Sequence, residues 1–593
     1  MKNIPNIETL RHSAAHVLAA AVKELYPNVK FGIGPAIENG FYYDFDFGDQ
    51  KIGDDDLSKI EKEMEKIIEQ RLPFVKKEVS VGEARELFKD QPYKLQLIDE
   101  LEKSQISNLK SQISIYKTGD FVDLCKGPHV KDTSIIKAFK LTHLAGAYWK
   151  GDERNPMLTR IYGTAFPSQK ELNNYLKLQE EAKKRDHRKI GKELDLFSFH
   201  PEAPGDIFWH PKGYTIVKEL YKYWREIHER EGYVEVRTPE ILTRETWDRS
   251  GHTNFFIEKM YKVTTPDAKE WNMAIKPMNC DGGMLIYKSK IRSYKEFPLR
   301  MGELGVVHRY ESSGELHGIL RPREFTQDDA HIYCTPDQVK DELKGVMDLC
   351  FEVYETFGLD LDHLELSTRP EGSIGSDEVW ERAESIMREV LKEKKVPHQV
   401  NEGEGAFYGP KFDFHLKDAI GRTWQCSTIQ LDFAQPENFD LTYITREGTK
   451  KRPVMIHRVL YGSIERFLGI LIEHYAGAFP VWLSPVQVVV IPISDKNLNY
   501  AKSVIERLRT MNYELRATLD ARDETMQAKI RDAQLQKIPY MLIVGDEEMQ
   551  KAKSRKQKFV SVRLRTGKDL KSMPLGKFVE RISQIINSKS LDL

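Results

Sequence analysis

The chain has few cysteines, no long apolar run and almost no net charge, and each shortage excludes a class of protein. Five cysteines among 593 residues are too few for a disulfide-bonded secreted scaffold, so a reducing, cytoplasmic setting is expected. No apolar stretch approaches the roughly 18 residues that span a bilayer, and the N-terminus, MKNIPNIETLRHSAAH, has no secretory-signal pattern. A net charge of -1 gives no general attraction to nucleic acid, so RNA binding would need local patches.

What is present is a long chain with globular composition. At roughly 100 to 200 residues per domain, its length predicts about three or four domains. The apolar fraction of 40% and the charged fraction of 31% are those of a globular protein. The sequence pattern predicts an α+β domain over 1–168, a solvated linker helix over 169–195, a large mixed unit over 196–483 and a small α/β domain with a largely parallel sheet over 484–593.

Two histidines fall on the first predicted helix. Apolar residues recur at helical spacing from Thr9 to Leu25, and Thr9 is the expected N-cap. His12 and His16 then lie one turn apart on a neighbouring face. The helix by itself favours an ordinary surface histidine pair.

The middle of the chain is dense in charged and polar residues within VVHRYESSGELHGILRPREFTQDDAHIYC, residues 306–334. This run resembles motif 2 of class II aminoacyl-tRNA synthetases, a strand, a loop and a second strand. The resemblance places Arg309 at the α-phosphate of ATP, with Glu311 and Arg321 beside the nucleotide. Arginine suits that role because its planar fork holds a phosphate with two hydrogen bonds and stays charged.

Two further segments match the same class in the expected order. HRVLYGSIERFLGILIEHY resembles motif 3, which implies that Arg466 contacts adenine or the γ-phosphate and that Gly462 allows the nucleotide to approach closely. GYVEVRTPEILTRETWDRSGH resembles motif 1, with Pro239 at the usual dimer interface, so a homodimer is expected. The implied fold is an α+β multidomain enzyme with an antiparallel-sheet catalytic core.

Three distant residues indicate the amino acid. Cys280 in KPMNC, His331 in QDDAH and His457 in PVMIH match the zinc ligands of threonyl-tRNA synthetases. A single buried cysteine or histidine is more often a packing residue, but three matches inside family motifs favour a site. Three ligands leave one position open for substrate, so one zinc ion per subunit is expected.

The chemistry explains why a metal is useful. An apolar pocket separates threonine from the nearly isosteric valine only about a hundredfold, whereas zinc binds the amino group and the hydroxyl together. The resemblance also implies an ATP site with magnesium. The remaining matches are a threonine pocket of Met278, Gln327, Asp329, Tyr408 and Gln430, and the ATP-site residues Lys411 and Gln425.

The zinc loop departs from the family pattern. The family usually has Asn-Cys-Pro-Gly-His, where this chain has Asn279, Cys280, Asp281, Gly282 and Gly283. The loop is therefore expected to be less constrained, with a carboxylate beside the first zinc ligand.

Zinc cannot reject serine, which lacks only a methyl group worth roughly 1 to 3 kcal/mol, so a second, hydrolytic site is expected. The first domain resembles the editing domain shared by threonyl and alanyl synthetases. The matching residues are His12, His16, Lys94, Asp123, Cys125 and His129. Such a set could bind zinc, but the bacterial threonyl family implies a metal-free site that positions water against the ester.

The last domain resembles the anticodon-binding domain of the threonine, proline, histidine and glycine synthetases. Position by position, Asp523, Glu548 and Arg563 would contact anticodon bases of tRNA(Thr). The charged run KAKSRKQK, at 551–558, is interpreted as a solvated loop rather than an RNA contact. The chain is also expected to lack the N-terminal ubiquitin-like domain of most bacterial relatives.

Three alternatives remain at this point. A prolyl synthetase would share the core and the last domain but would not need the three zinc ligands. A freestanding hydrolase of mischarged tRNA would explain only the first 168 residues. An inactive, RNA-binding paralogue would not need to keep Arg309, Arg321 and Arg466.

Overall fold

The computed structural model describes residues 6–104, 112–512 and 514–593. The chain divides into two compact units, residues 1–180 and 181–593, which are described separately. Within the described ranges, no helix is long and apolar enough to cross a membrane.

The first unit contains two antiparallel sheets and a long buried helix. One sheet has the strand order β1-β3-β8-β7 with β2 paired to β3, and the other has the order β4-β5-β6. Its helices are α1 (Ile7–Leu25), α2 (Asp54–Glu69), α3 (Val81–Leu87), α4 (Pro92–Ser104) and α5 (Gln169–Arg185), the last of which contains the boundary between the units. Its strands are β1 (Lys30–Phe31), β2 (Ala36–Ile37), β3 (Gly40–Asp46), β4 (Val75–Ser80), β5 (Gln112–Thr118), β6 (Phe121–Leu124), β7 (Ala138–Tyr148) and β8 (Met157–Phe166).

Helix α1 begins earlier than the sequence indicated. Its N-cap is Asn6, whose side chain accepts a hydrogen bond from the backbone N–H of Glu8, so the predicted cap at Thr9 is wrong. Its apolar residues pack into the core of the first unit together with β3 and α2. Because the helix is buried along most of its length, His16 is buried as well.

The predicted single linker helix is two helices. The first, α5, ends at Arg185, and Asp186 then caps a second helix by accepting a hydrogen bond from the backbone N–H of Arg188. This second helix is not solvated on all sides, because Ile190 and the following Leu194 join the core of the second unit. The charged composition of the segment hid this apolar pair.

The second unit contains an eight-stranded sheet, a C-terminal sheet and many short elements. Its helices are α6 (His187–Glu193), α7 (Pro211–Arg230), α8 (Arg244–Ser250), α9 (His252–Phe255), α10 (Cys280–Lys288), α11 (Val339–Thr356), α12 (Asp377–Lys394), α13 (Gln435–Asn438), α14 (Ile464–Tyr475), α15 (Leu498–Met511), α16 (Met526–Leu535), α17 (Asp546–Arg555) and α18 (Leu575–Asn587).

The strands of the second unit follow in chain order. They are β9 (Phe197–Ser198), β10 (Phe208–Trp209), β11 (Val234–Glu235), β12 (Ile241–Thr243), β13 (Lys262–Val263), β14 (Met273–Ile275), β15 (Arg292–Ser293), β16 (Leu299–His308), β17 (Glu324–Cys334), β18 (Asp360–Ser367), β19 (His398–Asn401), β20 (Lys411–Lys417), β21 (Thr423–Asp432), β22 (Tyr443–Ile444), β23 (Lys450–Lys451), β24 (Val454–Val459), β25 (Val488–Pro492), β26 (Ala517–Leu519), β27 (Tyr540–Val544), β28 (Phe559–Leu564) and β29 (Asp569–Pro574).

The large sheet has eight strands in the order β11-β16-β17-β24-β21-β20-β18-β19. Every pairing from β16 to β18 is antiparallel, and the two edge pairings are parallel. One face packs against α7, α11 and α14 to form the main core. Since side chains alternate between the faces of a strand, the other face is free to carry polar residues. The antiparallel core expected from the sequence is confirmed.

The C-terminal sheet differs from the prediction. Its order is β26-β25-β27-β28-β29, in which two pairings are parallel and two are antiparallel, so it is mixed rather than largely parallel. The first residue of the predicted strand YELRATLD, Tyr513, lies outside the described residues. The run KAKSRKQK is mostly helical, because α17 continues to Arg555, and the prediction of a loop is wrong there.

Candidate active sites

The polar face of the eight-stranded sheet carries a row of paired side chains. His331 on β17 is the cross-strand partner of His457 on β24, which pairs with Gln430 on β21, which pairs with Lys411 on β20. A cavity of about 570 Å³ lies over this face. Residues from four strands, far apart in sequence, therefore meet at one site.

Every residue predicted to bind ATP or threonine lines this cavity. The predicted ATP residues along its wall are Arg309, Glu311, Arg321, Lys411, Gln425, Gly462 and Arg466. The predicted threonine residues along its wall are Met278, Gln327, Asp329, Tyr408 and Gln430. Cys280 and His457 also line it.

Two arginines face the cavity from different elements. Arg309 follows directly after β16, its Nε donates to the Pro277 carbonyl at 3.2 Å, and its guanidinium lies 5.1 Å from the Phe325 ring centroid. Arg466 lies in the first turn of α14 and its Nε donates to the Leu320 carbonyl at 3.1 Å. Burial lowers the pKa of both guanidinium groups, but arginine remains charged. Each guanidinium group is thus fixed at its Nε by a hydrogen bond to a backbone carbonyl.

Glu311 lines the cavity and pairs with two cations. Its Oε2 lies 2.7 Å from Lys259 Nζ and 3.0 Å from Arg321 Nη2. Glu315 makes ion pairs with the same two cations. This network fixes Arg321, and the sequence analysis missed Lys259 and Glu315, which lie outside the matched positions.

A second network surrounds Asp413, which the sequence analysis also missed. Its carboxylate pairs with Lys411 Nζ at 2.6 Å and accepts hydrogen bonds from Gln425 Nε2 at 2.7 Å and from the Thr428 hydroxyl at 2.9 Å. Gln425 and Thr428 face the same side although they are three residues apart, because the β20–β21 register shifts between Asp413 and His415. A β-bulge of this kind re-aims side chains beside an active site.

The turn between β24 and α14 brings the backbone close to the cavity. Asp328 accepts hydrogen bonds from the backbone N–H groups of Leu460, Tyr461 and Gly462. Gly462 has a φ of 87°, and a Cβ at this position would approach the Cys426 carbonyl oxygen to 2.7 Å. Only glycine satisfies both conditions, so the turn requires the residue that is present.

The predicted threonine residues form the inner end of the cavity. The Tyr408 hydroxyl donates to Gln430 Oε1. Asp329 is buried, and burial raises the pKa of its carboxyl to about 7. Asn279 Nδ2 approaches Asp329 Oδ2 at 3.5 Å. A carboxyl group at this position can accept a hydrogen bond from the amino group of a bound substrate.

Of the predicted zinc ligands, Cys280 and His457 line the cavity, and His331 is the cross-strand partner of His457. The His331 and His457 rings have centroids 5.0 Å apart. Among the described residues, His331 Nε2 is buried without a hydrogen-bond partner, with Asp329 Oδ1 3.7 Å away, and His457 Nε2 lies 2.8 Å from Asp432 Oδ2. One thiol and two imidazoles, one with an unsatisfied nitrogen, are a donor set that fits zinc. Asp432, which the sequence analysis missed, would orient His457 as a zinc ligand.

The zinc loop shows what its departure from the family pattern does. Cys280 Sγ donates to Asp281 Oδ1 at 3.4 Å, and Asp281 Oδ2 is buried without a hydrogen-bond partner. Among the described residues, the set in which Cys280 meets other metal-binding atoms within 4.8 Å contains His252 and Asp281 rather than the two predicted histidines. His252 was missed because nothing in its own segment indicates proximity to Cys280.

The predicted editing residues of the first unit also meet. Cys125 Sγ lies 3.4 Å from His12 Nε2 and 3.3 Å from His129 Nε2. The Ser13 hydroxyl contacts His129 Nδ1 at 3.1 Å. Ligand atoms of His12, His16, Cys125 and His129 all lie within 4.8 Å of one another. This spacing is compatible with a metal ion, and equally with a bound water between imidazoles.

The other two predicted residues form a buried charge pair behind this group. Lys94 Nζ pairs with Asp123 Oδ1, and the Tyr43 hydroxyl donates to Asp123 Oδ2 at 2.6 Å. His16 Nε2 lies 3.6 Å from the same carboxylate. Burial raises the pKa of the Cys125 thiol to about 11 and lowers the pKa of His129 to about 2. A protonated thiol and neutral imidazoles can hold a water molecule, whereas a thiolate nucleophile is disfavoured.

The three predicted anticodon residues have different environments. Asp523 is exposed. Glu548 is buried and occupied at both oxygens, since it accepts from the Gly545 backbone N–H at 3.0 Å and from the Ser561 hydroxyl at 2.8 Å. Arg563 lies two residues along β28 from Ser561, on the same face. Glu548 thus caps α17 in this structure.

Family models match three parts of the chain. The class II core domain of tRNA synthetases for G, H, P, S and T matches residues 261–475, and the anticodon binding domain matches 487–585. The second additional domain of threonyl and alanyl tRNA synthetases matches 113–162. These matches fall on the sheet with the cavity, on the C-terminal sheet and on the unit with the histidine cluster.

Whole-chain relatives and solved structures agree. The threonine–tRNA ligase of Carboxydothermus hydrogenoformans is 54% identical over 98% of this chain and 89% of its own length. That of Thermotoga maritima is 52% identical over 99% and 89%. The RNA binding domain of threonyl-tRNA synthetase from Cryptosporidium parvum superposes with a TM-score of 0.64 at 38% identity, covering 68% of this chain and 98% of that structure. The chain belongs to the threonine–tRNA ligase family of class II aminoacyl-tRNA synthetases.

Proposed function

We propose that the chain activates threonine with ATP to threonyl-adenylate and transfers it to the 3′ end of tRNA(Thr). We further propose that its first unit hydrolyses seryl-tRNA(Thr). Family membership supports the overall reaction. The residue roles rest on the two sites.

The part of the cavity lined by the predicted ATP residues is suited to ATP. Arg309 and Arg466 place positive charge on it from two sides while hydrogen bonds to backbone carbonyls hold each Nε. Prepositioned charge stabilises the transition state without reorganisation when the α-phosphate is attacked. Magnesium would accompany the phosphates, and Glu311 is a carboxylate at that end of the cavity.

The part of the cavity lined by the predicted threonine residues is suited to threonine. Zinc held by Cys280, His331 and His457 would bind the amino group and the β-hydroxyl of the substrate together. Asp329, also in the cavity wall, is placed to accept a hydrogen bond from that zinc-bound amino group. Tyr408 and Gln430 are hydrogen-bonded to each other and form the wall beside it.

The histidine cluster of the first unit is suited to ester hydrolysis. His12 and His129 flank Cys125 with neutral nitrogens that can position a water molecule by hydrogen bonds, and His12 is the residue assigned as its general base. Asp123 and Lys94 hold His16 from behind through a buried ion pair. This arrangement supports a role in which water attacks the seryl ester.

Assembly and location complete the proposal. Val234 and Ile241, on either side of Pro239, are exposed large apolar residues, and β11 is an edge strand of the main sheet. Burial of this edge against a second copy would cover it, which supports a twofold homodimer. We also propose a cytoplasmic location, because the charged tRNA is consumed by translation there.

The single observation that carries the proposal is the gathering of all predicted ATP and threonine residues around one cavity. The test is amino-acid-dependent exchange between ATP and pyrophosphate with all twenty amino acids. Exchange should be strongest with threonine, detectable with serine and near background with valine. Equal signals from valine and threonine would contradict the zinc role, and exchange with none of the twenty would contradict the activation step.

A further inference from the structure

A second group of metal-binding side chains lies on the polar face of the eight-stranded sheet. It consists of His363 and Glu365 on β18 and His415 on β20, and its ligand atoms all lie within 4.8 Å of one another. None of the three lines the cavity described above. His415 is the cross-strand partner of Gln425, a residue of the cavity wall, so the group adjoins that site.

The sheet fixes the relative position of the two imidazoles. His363 and His415 are direct partners across the antiparallel β18–β20 pairing, and their rings stack with centroids 4.3 Å apart and planes 7° apart. Glu365 lies two residues from His363 and therefore on the same face. Strand register brings the three groups together without flexible loops. Because a metal bonds an imidazole nitrogen in the plane of the ring, one of the two stacked rings must turn about its Cβ–Cγ bond for both to share an ion.

Neighbouring side chains orient two of the three ligands. Asp362 Oδ2 lies 2.8 Å from His363 Nδ1, and Glu365 Oε1 lies 3.3 Å from His363 Nε2. With Asp362 holding a proton at Nδ1, an ion would replace the proton at Nε2 and bind Nε2 and the carboxylate together. Asn401 Nδ2 donates to Glu365 Oε2 at 3.1 Å. A carboxylate–histidine pair and a hydrogen-bonded carboxylate are the usual support of metal ligands.

His415 supplies a nitrogen that faces the same carboxylate. Its Nε2 is buried and lies 3.4 Å from Glu365 Oε2, and among the described residues it makes no hydrogen bond of good geometry. A metal ion would satisfy this atom, since neutral imidazole nitrogen is a good ligand. The His363 side chain is 24% exposed and those of Glu365 and His415 are 19% exposed, so a cation can enter and water can fill the remaining positions.

We propose that His363, Glu365 and His415 bind one divalent transition-metal ion of the zinc type, separate from the ion expected at Cys280. Two imidazoles and one carboxylate are a donor set suited to zinc, and three protein ligands leave room for water. Because Lys411 and Asp413 of the cavity lie on β20, the ion would clamp β18 to a strand that carries the ATP site. Partial exposure and one anionic ligand make the ion more easily exchanged than one held by a buried thiolate.

The test uses the full chain and Co²⁺ as a spectroscopic probe. Metal is removed with a chelator, Co²⁺ is added, and the bound equivalents are counted by equilibrium dialysis for the parent, His415→Gln, Glu365→Gln and His363→Gln. Each variant should bind one equivalent less than the parent. The lost equivalent should carry visible ligand-field bands without thiolate charge transfer, which distinguishes it from metal at Cys280 or Cys125.

The matched control is His398→Gln, an exposed histidine on the adjacent strand β19. It should bind as many equivalents as the parent. Circular dichroism and a cooperative thermal transition establish that each variant is folded, and the isosteric Glu365→Gln carries the test if a histidine variant unfolds. Equal binding by the parent and the three site variants would overturn the proposal, as would an equal loss in His398→Gln.

Discussion

His331 and His457 face each other across the antiparallel pairing of β17 and β24, with their ring centroids 5.0 Å apart. The pairing of the two strands brings the rings together, and no local sequence motif indicates that they are close. Each ring has one further feature that favours a metal: His331 Nε2 has no hydrogen-bond partner in the part of the chain that the structure describes, and His457 Nε2 faces Asp432. The zinc role is therefore testable through both the ligands and their neighbours.

Replacement of Cys280 with serine should remove the tightly bound zinc. A serine hydroxyl is a poor zinc ligand compared with a thiolate, so zinc that survives dialysis against a chelator should fall from about one per chain to near zero. Threonine-dependent pyrophosphate exchange should fall with it. Cys125→Ser is the control and should keep the ion if the editing cluster is metal-free. Unchanged zinc in Cys280→Ser would contradict the assignment.

Asp432→Asn should weaken zinc binding without removing a ligand. The buried carboxylate lies 2.8 Å from His457 Nε2, and loss of such a partner typically costs 10- to 100-fold in metal affinity. We expect a comparable drop in competition against a chromophoric chelator and a raised KM for threonine. Asp440→Asn, at an exposed aspartate on the same unit, should change neither. A raised KM for ATP alone would contradict the role.

Arg309→Lys should abolish most of the activation. Lysine keeps the charge but loses the fork and the hydrogen bond from Nε to Pro277. Removal of one prepositioned transition-state donor costs about 10²- to 10³-fold in rate, and pyrophosphate exchange with threonine measures it. Arg452→Lys, at an exposed arginine of the same unit, is the control. A loss confined to KM would show that Arg309 contributes only to ground-state binding.

A site residue could be predicted where it lies in a continuous sequence motif, and it could not be predicted where tertiary packing alone brings it to the site. Arg309, Glu311 and Arg321 lie in one continuous segment whose spacing is a motif, and all three line the cavity. Thr428 was missed because a β-bulge changes which residues of β21 face the cavity, and alternation alone assigns Gln425 and Thr428 to opposite faces. Asp413 lies two residues from Lys411 on β20, so strand alternation places it on the same face and could have indicated it. His252 and Asp432 were missed because their contacts depend on tertiary packing.

The errors in the fold have equally local causes. The predicted linker helix ends early because Asp186 caps a new helix, a signal present in the sequence but masked by surrounding charge. The cap of α1 moved to Asn6 because its carboxamide reaches the first free N–H groups. The charged run in the last domain became helical because three acidic residues begin α17 and favour its N-terminus.

The stability of the chain should fall as the pH drops below about 6.5, the ordinary histidine pKa. Burial lowers the pKa of His129 to about 2 and lowers those of His12 and His16. As the pH falls, the unfolded chain therefore binds protons at these histidines that the folded chain does not bind. Each such histidine lowers the free energy of unfolding by up to about 1.4 kcal/mol for each pH unit of the fall. Thermal unfolding between pH 8 and 5 measures the slope, which should be shallower in His129→Gln. An identical slope would contradict the burial.

Replacement of His12 with glutamine should separate the two activities. The residue touches Cys125 in the first unit and belongs to none of the ATP, threonine or zinc sets, so threonine activation should stay near the parent value. Hydrolysis of added seryl-tRNA(Thr) should fall at least tenfold, because general-base assistance is worth about 10² or more. His143→Gln, at an exposed histidine on β7 of the same unit, should keep both activities. Two assays on the same preparations suffice, pyrophosphate exchange and release of serine from seryl-tRNA. If the His12 variant cleared seryl-tRNA at the parent rate, the cluster around Cys125 would not be the hydrolytic site.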